Sequence, residues 1–246
     1  MFIKWLIGDM GTAGDYSYQA MHQWTVVIVA AVTATLLIWQ RFLCRQPDKK
    51  RLLVVAVSIF QIVFEIGWRI IYIIFKDAGF VALWPAYPCN LGGVLIPVIA
   101  LTNWKTGKKM FYLFAFVGAM LTFAMPNGIF STSVFVFPIL KSVLQHTGIL
   151  LIPLLEYVGG SYRSTLKDLG WVLSGCLVHL VNCEGIVRLM GLTEDYMFFR
   201  SGMPFVIPGV PQFITLSVFA ILVLTILSFV ADVKGSLAYL RTFRKK

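Results

Sequence analysis

Trp84-Pro85-Ala86-Tyr87-Pro88-Cys89-Asn90-Leu91-Gly92-Gly93 is a Pro-broken aromatic segment that ends in a cysteine and opens into an apolar run. Pro85 and Pro88 forbid a helix through the segment, so the next helix is expected to begin near Cys89 or Asn90, with Asn90 able to cap it. That places a thiol at a helix N-terminus. Unpaired backbone N–H groups and the positive end of the helix dipole there favour thiolate over thiol, and the thiolate is the nucleophile. A lone membrane cysteine is also a common packing residue, so the reading turns on what surrounds it.

The surroundings are membrane. The chain has 246 residues, 59% of them hydrophobic and 13% charged, with a mean hydropathy of +0.82. A soluble domain is closer to half apolar and a quarter charged, so the fold class is all-α and polytopic. The net charge of +10 falls in short Lys and Arg clusters between apolar runs. Such clusters mark topology and contacts to anionic lipid, and nucleic acid is set aside as a partner. Cys44, Cys89, Cys176 and Cys183 form no Cys-x-x-Cys pair and imply no disulfide framework.

Residues 1–21 carry the patch Phe2-Ile3-Lys4-Trp5-Leu6-Ile7, too short to span and expected at the interface. Spans are predicted over 22–43, 52–75, 89–103, 110–125, 137–157, 166–190 and 212–232. This is a bundle of seven transmembrane helices in a membrane domain of 22–234, followed by a basic tail, 235–246. Alternate loops carry the cations: Arg41, Arg45, Lys49, Lys50 and Arg51 after the first span, Lys105, Lys108 and Lys109 after the third, Arg163 and Lys167 after the fifth, and the tail. The other loops are poor in them, with Arg200 offset by Glu194 and Asp195. The charge rule then puts the N-terminus outside and the C-terminus in the cytoplasm of a cell-membrane protein.

Topology converts the polar residues into a depth map. Cys89 lies at the outer mouth of the third span, and His146 lies roughly 13 Å into the fifth at 1.5 Å per residue. Asn182 sits at a similar depth in the sixth, Glu65 and Arg69 occupy the middle and outer half of the second, and Asn127 ends the fourth. Glu65 and Arg69, four apart, share a helix face and can pair, as do Glu184 and Arg188. Lys141 and Gln145 share a face of the fifth span. His146 is the candidate general base, because neutral imidazole takes a proton near neutral pH. His179 lines one face of the sixth span with Cys176 and Cys183. A metal there, or a haem between His146 and His179, is a weaker alternative with an incomplete ligand set.

Taken in order, Glu65-x-x-Trp68-Arg69, Pro88-Cys89-Asn90-Leu91, Met125-Pro126-Asn127, Gln145-His146-Thr147-Gly148, and Asn182 with Asp195-Tyr196-Met197 resemble the YwaF-type bacterial integral membrane proteins over about residues 55–230. That family looks related to the eukaryotic transmembrane (TMEM) ether-phospholipid acyltransferases, which move acyl groups between phospholipids through a cysteine acyl intermediate. The resemblance implies Cys89 as acyl carrier and His146 as its base. Many bacterial members have His where this chain has Tyr87 and an acid where it has Asn127; if that His is a catalytic partner, this chain is either inactive or relies on His146 alone.

The first expectation is therefore a membrane acyltransferase acting on glycerophospholipids. Cys89 would form the thioester, and the N–H groups of Asn90 and Leu91 with the Asn182 amide would stabilise the oxyanion. Glu65 and Arg69 would order the site or bind phosphate. Membrane phospholipids are the partners, and no soluble cofactor is required, because a second lipid donates the acyl group. The alternative is a non-enzymatic seven-helix carrier or receptor for a lipid or small molecule.

Overall fold

The computed structural model describes residues 1–44, 46–76, 83–126, 128–193, 195, 197 and 207–243. Among them the chain is helical, with one isolated bridge between Ala13 and Thr132. The helices are α1 (Phe2–Ile7), α2 (Ala20–Ile38), α3 (Pro47–Lys76), α4 (Pro88–Thr102), α5 (Lys105–Ala124), α6 (Phe137–Gly159), α7 (Leu169–Leu180), α8 (Val187–Leu189), α9 (Gln212–Ala231) and α10 (Val233–Phe243). Wider π turns extend α2 over Trp39–Leu43 and join α7 to α8 over Val181–Ile186.

Six of the seven expected spans are helices long and apolar enough to cross a membrane, and the protein is a multi-pass membrane protein. The third expected span is α4, whose 15 residues make about 22 Å against a hydrocarbon core of about 30 Å. Its limits are local. Pro88 fits the first helical position, where no N–H is needed, and Asn103 ends the helix in the left-handed conformation at φ 54°. Tyr87 is the N-cap residue, without a side-chain cap. Asn90 therefore does not cap as expected. It lies within the first turn, and its side chain is free for other work.

Helix α6 is central: 61% of its apolar stretch is buried, against 11% for α9, the most hydropathic helix. It packs on α3, α4 and α5, and Val54, Ile96, Ile99, Phe111, Tyr112, Ile149, Ile152 and Leu155 form the shared core. At one end of this core α3 finishes and α4 and α6 begin. The N-terminal segment folds over that end, with Leu6 against Trp68 and Phe137, Trp5 Nε1 donating to Phe135 O at 2.9 Å and Tyr16 N to Phe130 O at 2.8 Å.

At the opposite end lies a charged cluster that the sequence reading overlooked. Glu156 is buried at the end of α6 and pairs with Lys108 of α5 and Arg51 of α3. Arg51 also donates to the carbonyls of Ala100 and Leu101 at 2.6 and 3.0 Å, satisfying the C-terminus of α4. Lys109 pairs with Asp168 at 2.7 Å. Arg51, Lys108 and Lys109, from two of the basic connections, thus meet Glu156 and Asp168 at one end of the bundle. The tail includes a helix, α10, against the Leu166–Asp168 turn and α9.

Helix α7 approaches α5 so closely that a Cβ on Gly175 would collide with the carbonyl oxygen of Met110. Backbone meets side chain there and neither can turn away. Gly175→Ala is expected to cost about 1–3 kcal/mol, read as a lower melting temperature of the detergent-solubilised protein, whereas Gly170→Ala, which meets open space, leaves it within error.

Candidate functional site

Glu65 anchors the end of the bundle where α4 begins. Its carboxylate is 1% exposed and receives Gln61 Nε2 at 3.3 Å on Oε1, and Trp68 Nε1 at 2.9 Å and Arg69 at 3.5 Å on Oε2. All four residues lie on two turns of α3, so the helix period itself gathers the donors. The facing helices make room by omission. A Cβ on Gly93 of α4 would come within 2.7 Å of Glu65 Oε1, and one on Gly148 of α6 would collide with the Gln61 amide.

Gln145 of α6 closes the cluster onto α4. It is fully buried, and its Nε2 donates to Cys89 O and to Asn90 Oδ1, both at 3.0 Å. Lys141, one turn earlier, donates to Asn90 Oδ1 at 3.4 Å and stands 3.9 Å from the centre of the Trp68 ring. The oxygens Gln61 Oε1 and Gln145 Oε1 are buried there without a hydrogen-bond partner among the described residues.

The segment that presents Cys89 is held from two sides. Arg69 donates to Leu83 O at 2.9 Å. Asn182 accepts from Trp84 Nε1 at 3.0 Å and donates to Pro85 O at 2.7 Å. The π turn that carries Asn182 also buries Cys183 against Ala86; such turns often mark a functional position, because the extra residue re-aims side chains. Cys89 is half-buried in the first turn of α4, and its thiol donates to Asn90 Oδ1 at 4.0 Å. The thiol does sit at a helix N-terminus.

The structure thus brings Cys89, Asn90, Glu65 and Arg69 into one polar cluster and ties Asn182 to its entrance segment. His146 makes separate contacts. It is 5% exposed, its Nδ1 donates to Ser142 O at 2.7 Å, and its ring meets Phe123 of α5 at 6.3 Å. With Nδ1 bonded to a carbonyl, the lone pair belongs to Nε2. One residue along a helix is a 100° turn, so Gln145 faces α4 while His146 faces elsewhere. The Leu91 N–H, expected at the oxyanion, donates to Tyr87 O at 3.0 Å. Asn127, Glu194, Tyr196 and Arg200 lie outside the described residues.

His179 packs between Phe111 and Phe114, and Glu184 pairs with Arg188 at 3.3 Å. Among the described residues no group of three or more His, Cys, Asp or Glu side chains is placed to hold a metal ion. Gln61, Trp68 and Lys141 complete the cluster; Gln61 went unread in the sequence, and Trp68 was read only as part of the ordered set of motifs. Their signal was spacing, at four before and three after Glu65.

Glu65→Ala removes one acceptor from three donors inside an apolar bundle and is expected to cost about 3 kcal/mol, measured by thermal or denaturant unfolding in detergent. Glu65→Gln, which keeps the shape and one acceptor oxygen, is expected to cost less. Compared with known proteins, the chain matches the model of the TMEM164 family over residues 16–229. No curated protein and no solved structure matches it.

Proposed function

Because the chain belongs to the TMEM164 family, we propose that it is a membrane acyltransferase that carries a phospholipid acyl group on Cys89. The kinship with YwaF-type bacterial proteins, a seven-helix bundle with N-terminus outside and C-terminus cytoplasmic, and residence in the cell membrane belong to the same proposal. The supporting observation is the thiol itself, placed at the N-terminus of a helix with a buried polar cluster behind it.

The chemistry runs in two balanced halves. Cys89 Sγ forms a bond to the ester carbonyl carbon as its proton passes to His146 Nε2. The ester C–O bond breaks, and the expelled glycerol oxygen takes that proton, leaving a lyso-lipid and a thioester. An acceptor hydroxyl then gives its proton to His146 and attacks the thioester, and the proton returns to sulfur. The step requires His146 Nε2 to reach both oxygens directly or through one water. Asn90, whose N–H is in the first turn of α4, faces the developing oxyanion. Asn182 and Arg69 act by holding the 83–88 segment, and Glu65 holds Arg69.

The carrier or receptor reading draws on a different feature. A cleft of about 390 Å³ between α2 and α5 is lined by Tyr18, His22, Gln23, Val26, Phe123 and Ala124, and Cys89 does not line it. Phe123 is nevertheless the ring against His146, so an acyl chain in this cleft would end beside the proposed base.

Purified protein incubated with phospholipid is expected to gain an acyl-sized mass that neutral hydroxylamine removes and that Cys89→Ala never acquires. An unmodified mass from folded protein in phospholipid contradicts the acyltransferase and favours the carrier. His146→Gln is expected to slow formation of the adduct by about 10²-fold or more with little change in melting temperature, measured from the time course of the mass increment.

A further inference from the structure

Lys141 is the side chain that the site residues have in common. Its ammonium reaches Asn90 Oδ1, the same oxygen to which the Cys89 thiol donates at 4.0 Å. Cys89, Glu65, Arg69 and His146 all lie within its electrostatic range. Among the described residues its contacts are a neutral amide oxygen and the face of Trp68, and the ion pairs are made by Arg51, Arg69, Lys108, Lys109 and Arg188. Glu65, the acid on the facing helix, already serves Gln61, Trp68 and Arg69. Among the described residues the charged and titratable groups around Cys89 include Glu65 and Arg69 from α3, Lys141 from α6 and Cys183 from the π turn.

We propose that Lys141 is the counter-charge of the Cys89 thiolate. An ammonium inside an apolar bundle is costly unless an anion stands near it; the Glu65 carboxylate is in range but shared with Arg69, and the sulfur on the same Asn90 oxygen is the second anion this site can make. The buried Gln145 amide keeps the two in register, since its nitrogen holds both Cys89 O and Asn90 Oδ1. A thiolate–imidazolium pair would put a second cation beside Lys141, so His146 works as proton carrier and Lys141 as the fixed charge. In the free protein the thiol proton leaves to water, and during transfer it passes to His146 Nε2. Lys141 is a positioning residue in this scheme, which rests on the thioester reading of Cys89.

The test is the pH dependence of Cys89 alkylation by a small maleimide in detergent, followed on the Cys89 peptide by mass spectrometry. Lys141→Met is expected to slow alkylation about tenfold at pH 7.5 and to move the profile up by about one pH unit. Lys141→Arg is expected to stay within about threefold of the parent, and His146→Gln to leave the midpoint in place. If Lys141→Met does not fold, Lys141→Gln keeps a hydrogen bond to Asn90 without the charge and reads the same quantity. A Lys141→Met profile that superimposes on the parent overturns the proposal, as does a Cys89 that resists the reagent at every pH. A midpoint moved by His146→Gln alone makes His146 the counter-ion and overturns it too. Acyl adduct formation is scored separately. A shifted profile without an adduct sinks the thioester and leaves the ion pair, and an adduct without a shift does the reverse.

Discussion

A carboxylate inside an apolar bundle has to be satisfied on the spot, and Glu65 is satisfied almost entirely by its own helix. Gln61, Trp68 and Arg69 stand four before, three after and four after it, so their donors converge on its two oxygens. The cost of burying the charge falls when every lone pair has a donor. The same arrangement then dictates its neighbours. Gly93 and Gly148 must lack side chains where α4 and α6 pass the cluster, and Arg69, held by Glu65, is left aimed at Leu83 O. The path of the chain into α4 follows from that one charge.

Cys89 inherits its position from this framework. The 83–88 segment is tied to α3 through Arg69 and to the π turn through Asn182, and Pro88 starts the helix one residue before the thiol. Gln145 then fixes the first turn of α4 against α6. A loop cysteine would wander, whereas this one is held through α3, the π turn and α6. At the far end Glu156, Lys108 and Arg51 close the bundle in the same manner, so each end of the core carries a paired charge.

The spans were legible because apolar runs and their Pro, Gly and Lys punctuation are local signals, and the observed helices begin and end within a few residues of the predicted ones. The pairing of Glu65 with Arg69 was legible for the same reason, being a property of one helix. What depended on how helices rotate against each other was not. Gln145 and His146 are adjacent in the chain, and the polar spot they make says nothing about which of them faces α4. Glu156 reads in sequence as one acid in a mostly apolar stretch, and its partners come from helices far away in the chain. The length of α4 was visible from Pro88 to Asn103, but its shortness against the other spans gained meaning only once it was seen packed among longer helices.

The most direct test is acyl transfer itself. Protein reconstituted in vesicles with a phospholipid carrying a labelled acyl chain and an unlabelled lyso-phospholipid would be assayed for label in the newly formed diacyl lipid, with Cys89→Ser and Cys89→Ala in parallel. The account predicts transfer by the parent protein and loss of transfer in both variants, with folded protein recovered in each. Transfer that persists without the Cys89 sulfur, or no transfer by a folded parent protein supplied with both lipids, contradicts it.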